Sequence, residues 1–386
     1  MGEGLFWISV VMLVYVFVGY PFLLLLLGKI AQQPAVLKAS IHLHVTLIIS
    51  AYNEQQIIEE KILNSLGLDY PREMLEIIIV SDASTDRTDD IVRLYAAEGI
   101  VLHRMPIRKG KTAGLNEAVC LAKGEIIVFS DANAFYAADV IQMLVRNFVD
   151  PTVGCVTGNS CYVGAEVSNA GKNENRYWGY ERFLKIKESQ IGSMVGSDGA
   201  IFAVRKALAR PLEADDINDF VMPLQVVSQG YRNVFEPEAR CYEKAVSQLA
   251  QEFRRKVRIV SRSWHGLSRV KALLNPWRYG LFSFQLVSHK MLRWLTPAFL
   301  SGLFLFSSAV AWADWTGEFV RTGQILFYSL GVVGLILDRA GVGMRWLSFP
   351  AYFIIVNAAS AMGTLQSMLG ERINTWEPER SSRPKS

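Results

Sequence analysis

The sequence predicts an α/β domain with a parallel sheet, held between transmembrane helices. Three short apolar runs rich in β-branched residues each end abruptly in Ser, Asp or Asn, which is typical of buried parallel strands. These runs cover residues 45–49, 77–80 and 126–129. Apolar segments of membrane-spanning length lie on both sides of them. Since ligands bind at the carboxyl ends of strands in open α/β sheets, the polar clusters predict a ligand site at that edge.

Hydrophobic residues make up 51% of the 386-residue chain, and its mean hydropathy is positive, which is unusual for a soluble protein. The excess lies in four segments, residues 5–27, 295–313, 325–337 and 347–369. The first segment is long enough to cross a bilayer core. A cleaved signal peptide is the alternative, but no basic residue precedes the segment and no convincing small-x-small site follows it. Segment 325–337 is the shortest and the least secure crossing.

The charge pattern favours a cytosolic position for the central domain. Lys29 directly follows the first apolar segment, and most of the other charges lie between that residue and Arg293. The net charge of +4 is mild for this length, and no nucleic-acid-binding motif occurs, so we expect no nucleic-acid partner. The four cysteines have no metal-binding spacing, which predicts reduced structural thiols.

The predicted topology contains a conflict at the C-terminus. One anchor before the domain and three after it would place the tail outside if the domain is inside. The tail nevertheless contains Arg372, Arg380, Arg383 and Lys385, which indicates the cytosolic side. Either one late segment is interfacial or re-entrant, or the tail is translocated.

Helical periodicity fills the spaces between the first strands. We predict helices at residues 54–66, 86–97 and 112–122, and a short edge strand at 101–102. The βαβαβ order predicts a right-handed, doubly wound layer. No GxGxxG motif follows the first strand, which argues against a dinucleotide-dependent oxidoreductase.

The second half of the domain is less regular. The pattern predicts further strands at residues 153–159, 201–204 and 232–236, and further helices at residues 177–190 and 219–229. The predicted organisation is an anchor (1–30), an α/β domain (40–245), interfacial helices (246–290), a membrane region of about three segments (291–370) and a tail (371–386).

Residues 251–267 have the pattern of a basic amphipathic helix. Apolar residues that include Trp264 recur at steps of three and four, with Arg and Lys between them. Such a helix is typical of a membrane surface, and a solvated basic face is the alternative. Arg255, Arg258 and Arg262 share one face that could turn towards an anion. The aromatic stretch 277–290 is predicted to continue along the interface.

Seven segments together identify a family resemblance. They are IISAYNE, IIVSDASTDRT, RKGKTAGLNEA, IIVFSDANAFY, GSDGAIFAVRK, INDFVMPLQVVSQGYR and RRKVRI. In this order they resemble the family 2 inverting glycosyltransferases, most closely the membrane-bound branch with the cellulose, chitin, hyaluronan and poly-N-acetylglucosamine synthases. The match extends from about Val45 to Arg262. It implies a GT-A-type, Rossmann-like domain and a nucleotide-diphosphate sugar donor, usually UDP-linked.

The resemblance implies a nucleotide-binding set. Asn53 and Glu54 match positions near the nucleotide, and Asp82 matches the carboxylate that accepts a hydrogen bond from uracil. Asp86 is predicted to cap the following helix and is not assigned to the nucleotide site. Lys111 matches the lysine beside the diphosphate, and Arg258 matches the arginine of the family's Gln-x-x-Arg-Trp signature.

The resemblance also implies a metal site and a catalytic base. Asp131 and Asn133 stand where the family has its Asp-x-Asp motif, which binds Mg²⁺ or Mn²⁺; here the second position is Asn. Asp219 matches the general base that deprotonates the acceptor hydroxyl. Asp198 and Gly199 match the loop on the acceptor side, where glycine permits close approach of a sugar.

The expected function is transfer of one sugar to a membrane-associated, lipid-linked saccharide acceptor in envelope or exopolysaccharide synthesis. The signature's Gln and Trp are replaced by Arg255 and Ile259, which favours limited transfer over polymerisation. A processive synthase with coupled export remains one alternative, because an aromatic platform could come from Tyr177, Trp178 or Trp264. A nucleotide-binding transporter or scaffold without catalysis is the other alternative.

Overall fold

The computed structural model describes residues 1–372 apart from 32, 164–168, 245–248, 312–314, 341 and 343. The side chains of residues 169–178, 311 and 345 also lie outside the described part.

The centre of the chain is an eight-stranded sheet. Its strands are β1 (Val45–Ala51), β2 (Leu75–Ser81), β3 (Ile100–Arg104), β4 (Ile126–Asp131), β5 (Phe135–Tyr136), β6 (Val153–Val163), β7 (Phe202–Arg205) and β8 (Arg232–Lys244). The spatial order is β3-β2-β1-β4-β7-β6-β8-β5. Strands β3, β2, β1 and β4 are parallel, and β7 is antiparallel to both of its neighbours. The predicted α/β sheet and its three central strands are confirmed.

Helices cover the sheet and extend beyond it. They are α1 (Gly2–Val14), α2 (Tyr20–Ile30), α3 (Ile58–Leu66), α4 (Thr88–Leu94), α5 (Lys111–Leu121), α6 (Val140–Val145), α7 (Asn169–Ile191), α8 (Asn218–Ser228), α9 (Leu249–Arg269), α10 (Pro276–Tyr279), α11 (Leu281–Leu286), α12 (Leu292–Trp294), α13 (Thr296–Ala311), α14 (Trp315–Arg339) and α15 (Arg345–Met368). Short π-helical segments, Tyr15–Gly19 and Val287–Met291, join α1 to α2 and α11 to α12.

Apolar side chains of the central strands are buried on both faces of the sheet. In β1, Leu47 and Ile49 belong to one core and Ile48 belongs to the other, as the two-residue period of a strand requires. The first core is closed by α3 and α6, and the second by α5 and α8. Burial on both faces is why these strands have continuous apolar sequences.

Several predicted boundaries differ from the structure, and two of the differences have a direct structural reason. The helix predicted at 54–66 begins at Ile58, because the carbonyl of Glu54 accepts N–H groups from Ile57 and Ile58 and closes a turn first. The strand predicted at 232–236 continues to Lys244. Its pairing with β6 shifts register after Phe235, and this irregularity accommodates Pro237, which lacks an N–H group.

Three helices in the described part of the chain are long and apolar enough to cross a membrane, namely Gly2–Ile30, Trp315–Arg339 and Trp346–Met368. Segment 325–337 is therefore part of a 25-residue helix, and the prediction of a short crossing there was wrong. Helix α13 has only 16 residues and packs against α1. A Cβ on Gly302 would lie 2.6 Å from Ser9 Oγ, and one on Gly2 would lie 2.8 Å from Ala309 Cβ. The two helices therefore run antiparallel in close contact.

Helix α9 lies between the α/β domain and α15. On one side, a Cβ on Gly266 would lie 2.4 Å from Val221. On the other side, a Cβ on Gly363 would lie 2.6 Å from the carbonyl oxygen of Val257, and Trp264 Nε1 donates to Thr364 Oγ1 at 3.0 Å. Both faces of this amphipathic helix are thus covered by protein along part of its length.

Candidate active site

A cavity of about 270 Å³ opens at the carboxyl ends of β1 and β4. All of the predicted site residues line it except Asn53 and Asp82. The predicted residues in the lining are Glu54, Lys111, Asp131, Asn133, Asp198, Gly199, Asp219 and Arg258. The fold therefore brings together residues from both halves of the α/β domain and from α9.

Asp131 lies at the end of β4, where the neighbouring strand β1 ends in Ser50. The Ser50 hydroxyl donates to Asp131 Oδ1 at 2.9 Å. Lys111, the first residue of α5, forms an ion pair with the same oxygen. The Ser50 hydroxyl and the Lys111 ammonium therefore hold the Asp131 carboxylate at the edge of the sheet where the cavity opens.

The donor set around Asp131 is compatible with a divalent cation that binds together with a diphosphate. Asp131 and Asn133 offer hard oxygen ligands in one cavity. Within the described ranges, no cluster of three or more His, Cys, Asp or Glu side chains is suited to a metal. Mg²⁺ sites commonly use one or two protein ligands and take their other oxygens from phosphates and water. The residues present fit a metal of that kind.

Lys61 supports the turn that carries Asn133, and sequence analysis missed it. Its side chain is fully buried, its ammonium donates to the carbonyl of Ala134, and it lies 4.0 Å from the centroid of the Tyr136 ring. Burial lowers the pKa of Lys61 to about 7. The next turn of α3 adds a second link, since Asn64 exchanges hydrogen bonds with the backbone of Tyr136.

Asp219 lies in the first turn of α8, and its side chain is half-buried. Its Oδ1 atom is buried and has no hydrogen-bond partner among the residues that the structure describes. A Cβ on Gly199 would lie 3.0 Å from Oδ2, so the glycine leaves space beside the carboxylate. Burial raises the pKa of Asp219, Lys111 opposes that shift, and the nearby Asp198 and Asp131 add to it.

The acceptor-side loop is held against the backbone of Asp219. Ser197 N–H donates to the Asp219 carbonyl at 2.6 Å. Gly196 has a φ of +81°, which favours glycine at this turn. Asp198 accepts the N–H of Ala200 at 3.2 Å and lies 3.6 Å from Lys185 Nζ.

Asp215 and Asp216, which precede Asp219 closely in the sequence, have different surroundings. Both form ion pairs with Arg269. Arg262 is buried and donates to the backbone carbonyls of Asp215 and Asp216, while its guanidinium also reaches Thr112 Oγ1 at 2.9 Å. These two carboxylates hold α9 against the loop before α8.

Asn53 and Asp82 lie outside the cavity lining. Asp82 accepts the backbone N–H groups of Lys109 and Gly110 at 2.8 and 2.9 Å, so it holds the basic loop before Lys111. Asn53 has a φ of +54° and accepts the N–H of Thr85 at 2.8 Å.

The side of the cavity formed by the helical stretch before α13 contains residues that sequence analysis did not assign. Lys290 and Trp294 line it from the helical stretch before α13. The ring of Trp294 packs against Phe220, with centroids 5.7 Å apart, and against Trp264, with centroids 5.0 Å apart. Ile259 lines the cavity at the position where the signature has Trp. The side chains of Tyr177 and Trp178 lie outside the described part of the chain.

Residues 46–210 match the family described as Glycosyl transferase family 2. These residues form a family 2 glycosyltransferase domain. The presence of this domain disfavours the alternative of a transporter or scaffold without catalysis.

Curated relatives of this chain include a poly-β-1,6-N-acetyl-D-glucosamine synthase of Staphylococcus aureus (strain COL). It is 25% identical over 221 residues, which cover 55% of this chain and 53% of the relative. The probable glycosyltransferase YdaM of Bacillus subtilis (strain 168) is 28% identical over 216 residues, which cover 52% of this chain and 50% of the relative. The chain thus spans about half the length of the curated relatives it matches.

Among solved structures, the glycosyltransferase is similar to the mannosyltransferase PcManGT from Pyrobaculum calidifontis, determined in complex with GDP-Man and Mn²⁺. The match has a TM-score of 0.71 at 24% identity and covers 95% of this chain and 100% of the other. This similarity confirms the predicted GT-A-type fold. The predicted membrane segments correspond to helices of this chain that are long and apolar enough to span a membrane.

Proposed function

We propose that this glycosyltransferase moves a sugar from a UDP-linked donor, with inversion, to a hydroxyl group of a membrane-associated acceptor. The observation that carries the proposal is the carboxylate of Asp219. It lines the same cavity as Asp131 and Lys111, and one of its oxygens has no partner in the described part of the chain.

Asp219 is proposed as the general base. The acceptor oxygen attacks the anomeric carbon, the bond from that carbon to the phosphate oxygen breaks, and the acceptor proton passes to Asp219. Inversion requires one base on the face opposite the leaving group. A pKa raised by burial brings the carboxylate closer to the operating pH and so makes it a stronger proton acceptor. Asp215 and Asp216 are less suited, since both carboxylates are already paired with Arg269.

Asp131 and Asn133 are proposed to hold Mg²⁺ or Mn²⁺ with the donor diphosphate. A bound divalent cation supplies charge stabilisation for the departing nucleotide. Lys111 and Arg258 are proposed to bind diphosphate oxygens beside it. Because Lys111 now pairs with Asp131, donor binding would have to exchange that contact for one to phosphate.

The uracil contact is assigned to Asp82, with Asn53 and Glu54 beside the nucleotide. Asp82 uses both oxygens on backbone amides, and each carboxylate oxygen has a second lone pair for a ring N–H. Support for Glu54 is that it lines the cavity, and its backbone is held by Thr88 Oγ1 at 2.8 Å.

A lipid-linked saccharide is proposed as the acceptor, bound by Asp198 and Gly199 at the membrane end of the cavity. Support comes from Lys290 and Trp294, which line that end and belong to the helical stretch leading into α13.

We propose the same division of the chain as the sequence predicts. It consists of the anchor (1–30), the catalytic domain (40–245), the interfacial helices (246–290), the membrane region (291–370) and the tail (371–386).

The catalytic domain is proposed to face the cytosol, with the start of the tail on the same side. The carbonyl of Glu371 lies 3.0 Å from His265 Nε2, and Arg372 lies 3.7 Å from Asp215. The end of α15 thus returns to the α/β domain, which favours an interfacial or re-entrant path for one late segment over a translocated tail.

A processive synthase with coupled export is the second candidate. The observation that favours it is Trp294, an aromatic residue in the cavity lining that offers the sugar platform absent at Ile259. Product length from the purified protein separates the two candidates.

The test of the proposed function is a donor-hydrolysis and transfer screen of the full chain in detergent. UDP-, GDP- and dTDP-sugars are offered with Mg²⁺ or Mn²⁺ and membrane lipid extract. Metal-dependent release of UDP, lost in Asp219→Asn, is expected. Release that is unaffected by that substitution would remove Asp219 from the mechanism.

A further inference from the structure

A buried chain of hydrogen bonds connects the N-terminal membrane helix to the acceptor-side loop. Tyr20, on α2, donates its hydroxyl proton to Glu188 Oε1 at 2.5 Å. Glu188, on α7, accepts the backbone N–H of Val195 with its other oxygen at 3.0 Å. The side chains of Tyr20 and Glu188 are both buried. One carboxylate therefore contacts the anchor and the start of the loop at the same time.

A histidine and a second carboxylate complete this network. His289 Nδ1 lies 2.7 Å from Glu188 Oε1, and its Nε2 lies 3.1 Å from Glu181 Oε2. Each ring nitrogen of His289 thus faces one carboxylate oxygen. Arg293 forms an ion pair with Glu181. The buried carboxylates are therefore surrounded by hydrogen-bonding and charged partners, as buried charges require.

Glu181, the second carboxylate of the network, also lines the cavity. Burial alone would raise the pKa of Glu181, but Arg293 and His289 outweigh that effect and hold the pKa well below its usual range. Glu181 is therefore ionised at neutral pH, and through it the network is continuous with the cavity wall.

The loop held by Glu188 leads directly to the proposed base. Val195 precedes Gly196, and Ser197 donates its N–H to the carbonyl of Asp219 at 2.6 Å. The next glycine along, Gly199, lies against Asp219 Oδ2. Displacing this loop would change the space in which the acceptor hydroxyl meets the base, and transfer rates fall steeply with displacements of about 1 Å.

Building on the proposed function, we propose that Tyr20 and Glu188 are positioning residues through which the membrane anchor holds residues 196–199 against Asp219. The anchor then contributes to catalysis itself, in addition to attaching the domain to the membrane. Glu188 acts through the backbone of Val195, and Tyr20 acts through Glu188.

The experiment uses the full chain in detergent with Tyr20→Phe, Glu188→Gln and the matched control Tyr15→Phe. The Tyr15 hydroxyl bonds to Ser288 Oγ at 2.7 Å, so the control removes a phenol hydroxyl from the same continuous helix without touching Glu188. Gln at position 188 has one acceptor oxygen, which cannot serve Tyr20, His289 and Val195 together. Tyr20→Phe removes a single oxygen and tests the proposal even if Glu188→Gln does not fold.

The first measurement is hydrogen–deuterium exchange of peptides covering residues 193–201. Exchange there should rise about tenfold in Tyr20→Phe and Glu188→Gln, which corresponds to about 1.4 kcal/mol, and should not change in Tyr15→Phe. Equal exchange in all variants, or the same rise in the control, would overturn the proposal.

The second measurement separates positioning from general loosening. The Kd for UDP with Mn²⁺ should stay within about twofold of wild type, while sugar transfer to membrane lipid extract falls roughly tenfold. Faster exchange with unchanged transfer would overturn the positioning role. If the wild type releases UDP from no sugar donor, the proposed function fails, whereas the exchange measurement still decides whether the anchor holds the loop.

Discussion

Replacing Asp219 by Asn removes the proposed proton acceptor and changes the shape of the site less than other substitutions at this position would. Within the described ranges, Asp219 Oδ1 has no hydrogen-bond partner, so the substitution breaks no described hydrogen bond at that atom. The space left by Gly199 beside Oδ2 accommodates an amide as well as a carboxylate. Backbone contacts of residue 219 with Ser197 are unchanged.

The expected loss follows from the role of a positioned base. General-base catalysis contributes about 100-fold or more, so turnover should fall by at least that factor, equivalent to about 2.7 kcal/mol of barrier. The Kd for UDP with Mn²⁺ should stay within about twofold, because Lys111, Asp131 and Arg258 are intact.

Stability should not fall with this substitution. The pKa of Asp219 is raised in the folded chain, so the ionised carboxylate is less favourable there than in the unfolded chain. Its contribution to stability is fully present at low pH and is lost as pH rises through the folded pKa. Since Asn cannot ionise, the variant should unfold at an equal or slightly higher temperature at neutral pH.

The assay is initial-rate release of UDP from the donor identified in the screen, with transfer product measured in parallel. Asp215→Asn is the matched control, because Asp215 pairs with Arg269 and transfers no proton. The turnover of this variant should fall by less than about tenfold. Retention of more than about a tenth of wild-type turnover by Asp219→Asn would refute the assignment, since a positioned base is worth more than that.

Three further predictions concern the metal, the buried lysine and the product. Asp131→Ala should lose turnover and Mn²⁺-dependent UDP affinity together, measured by calorimetry, and full activity in excess EDTA would contradict a metal-dependent mechanism. Lys61→Met should flatten the pH dependence of the melting temperature. Because the pKa of Lys61 is lowered to about 7 in the folded chain, wild-type stability decreases as pH falls from the unfolded pKa of about 10.5 through about 7. An equal pH slope of the melting temperature in both proteins would exclude this contribution of Lys61 to the pH dependence of stability. Labelled product should migrate as the acceptor with one or a few added sugars, extractable into organic solvent, because Ile259 offers no flat face for a pyranose ring. High-molecular-weight polysaccharide made by the purified chain would support the processive alternative, and its loss in Trp294→Ala would assign the platform to Trp294.

Local sequence patterns were sufficient to predict the sheet and the strand ends at which the site lies. Continuous apolar runs indicate burial on both faces, and polar residues directly after such runs must lie at the carboxyl edge of a parallel sheet. Asp131 was therefore identifiable before any contact was known, whereas Lys111 follows a basic loop and was assigned through the family resemblance. The family resemblance added Asp219, which no local pattern distinguishes from Asp215 and Asp216.

Lys61 shows why other parts of the site were missed. It follows Glu59 and Glu60 in a helix, and this sequence is typical of a solvated face. The turn of Ala134 and Tyr136 packs over that position and buries the ammonium. Burial depends on which element packs against a residue, and here that element is distant in the sequence.

By itself, the sequence determined the α/β class, the order of the central strands along the chain and the presence of membrane-length helices. These features follow from the period and length of apolar runs, which are local properties. Only the tertiary structure brought Glu188, Tyr20 and His289 together, placed Trp294 in the cavity and paired Arg269 with Asp215. Each of these contacts joins elements far apart in the chain, and their formation depends on the packing of whole helices, which short-range sequence patterns do not encode.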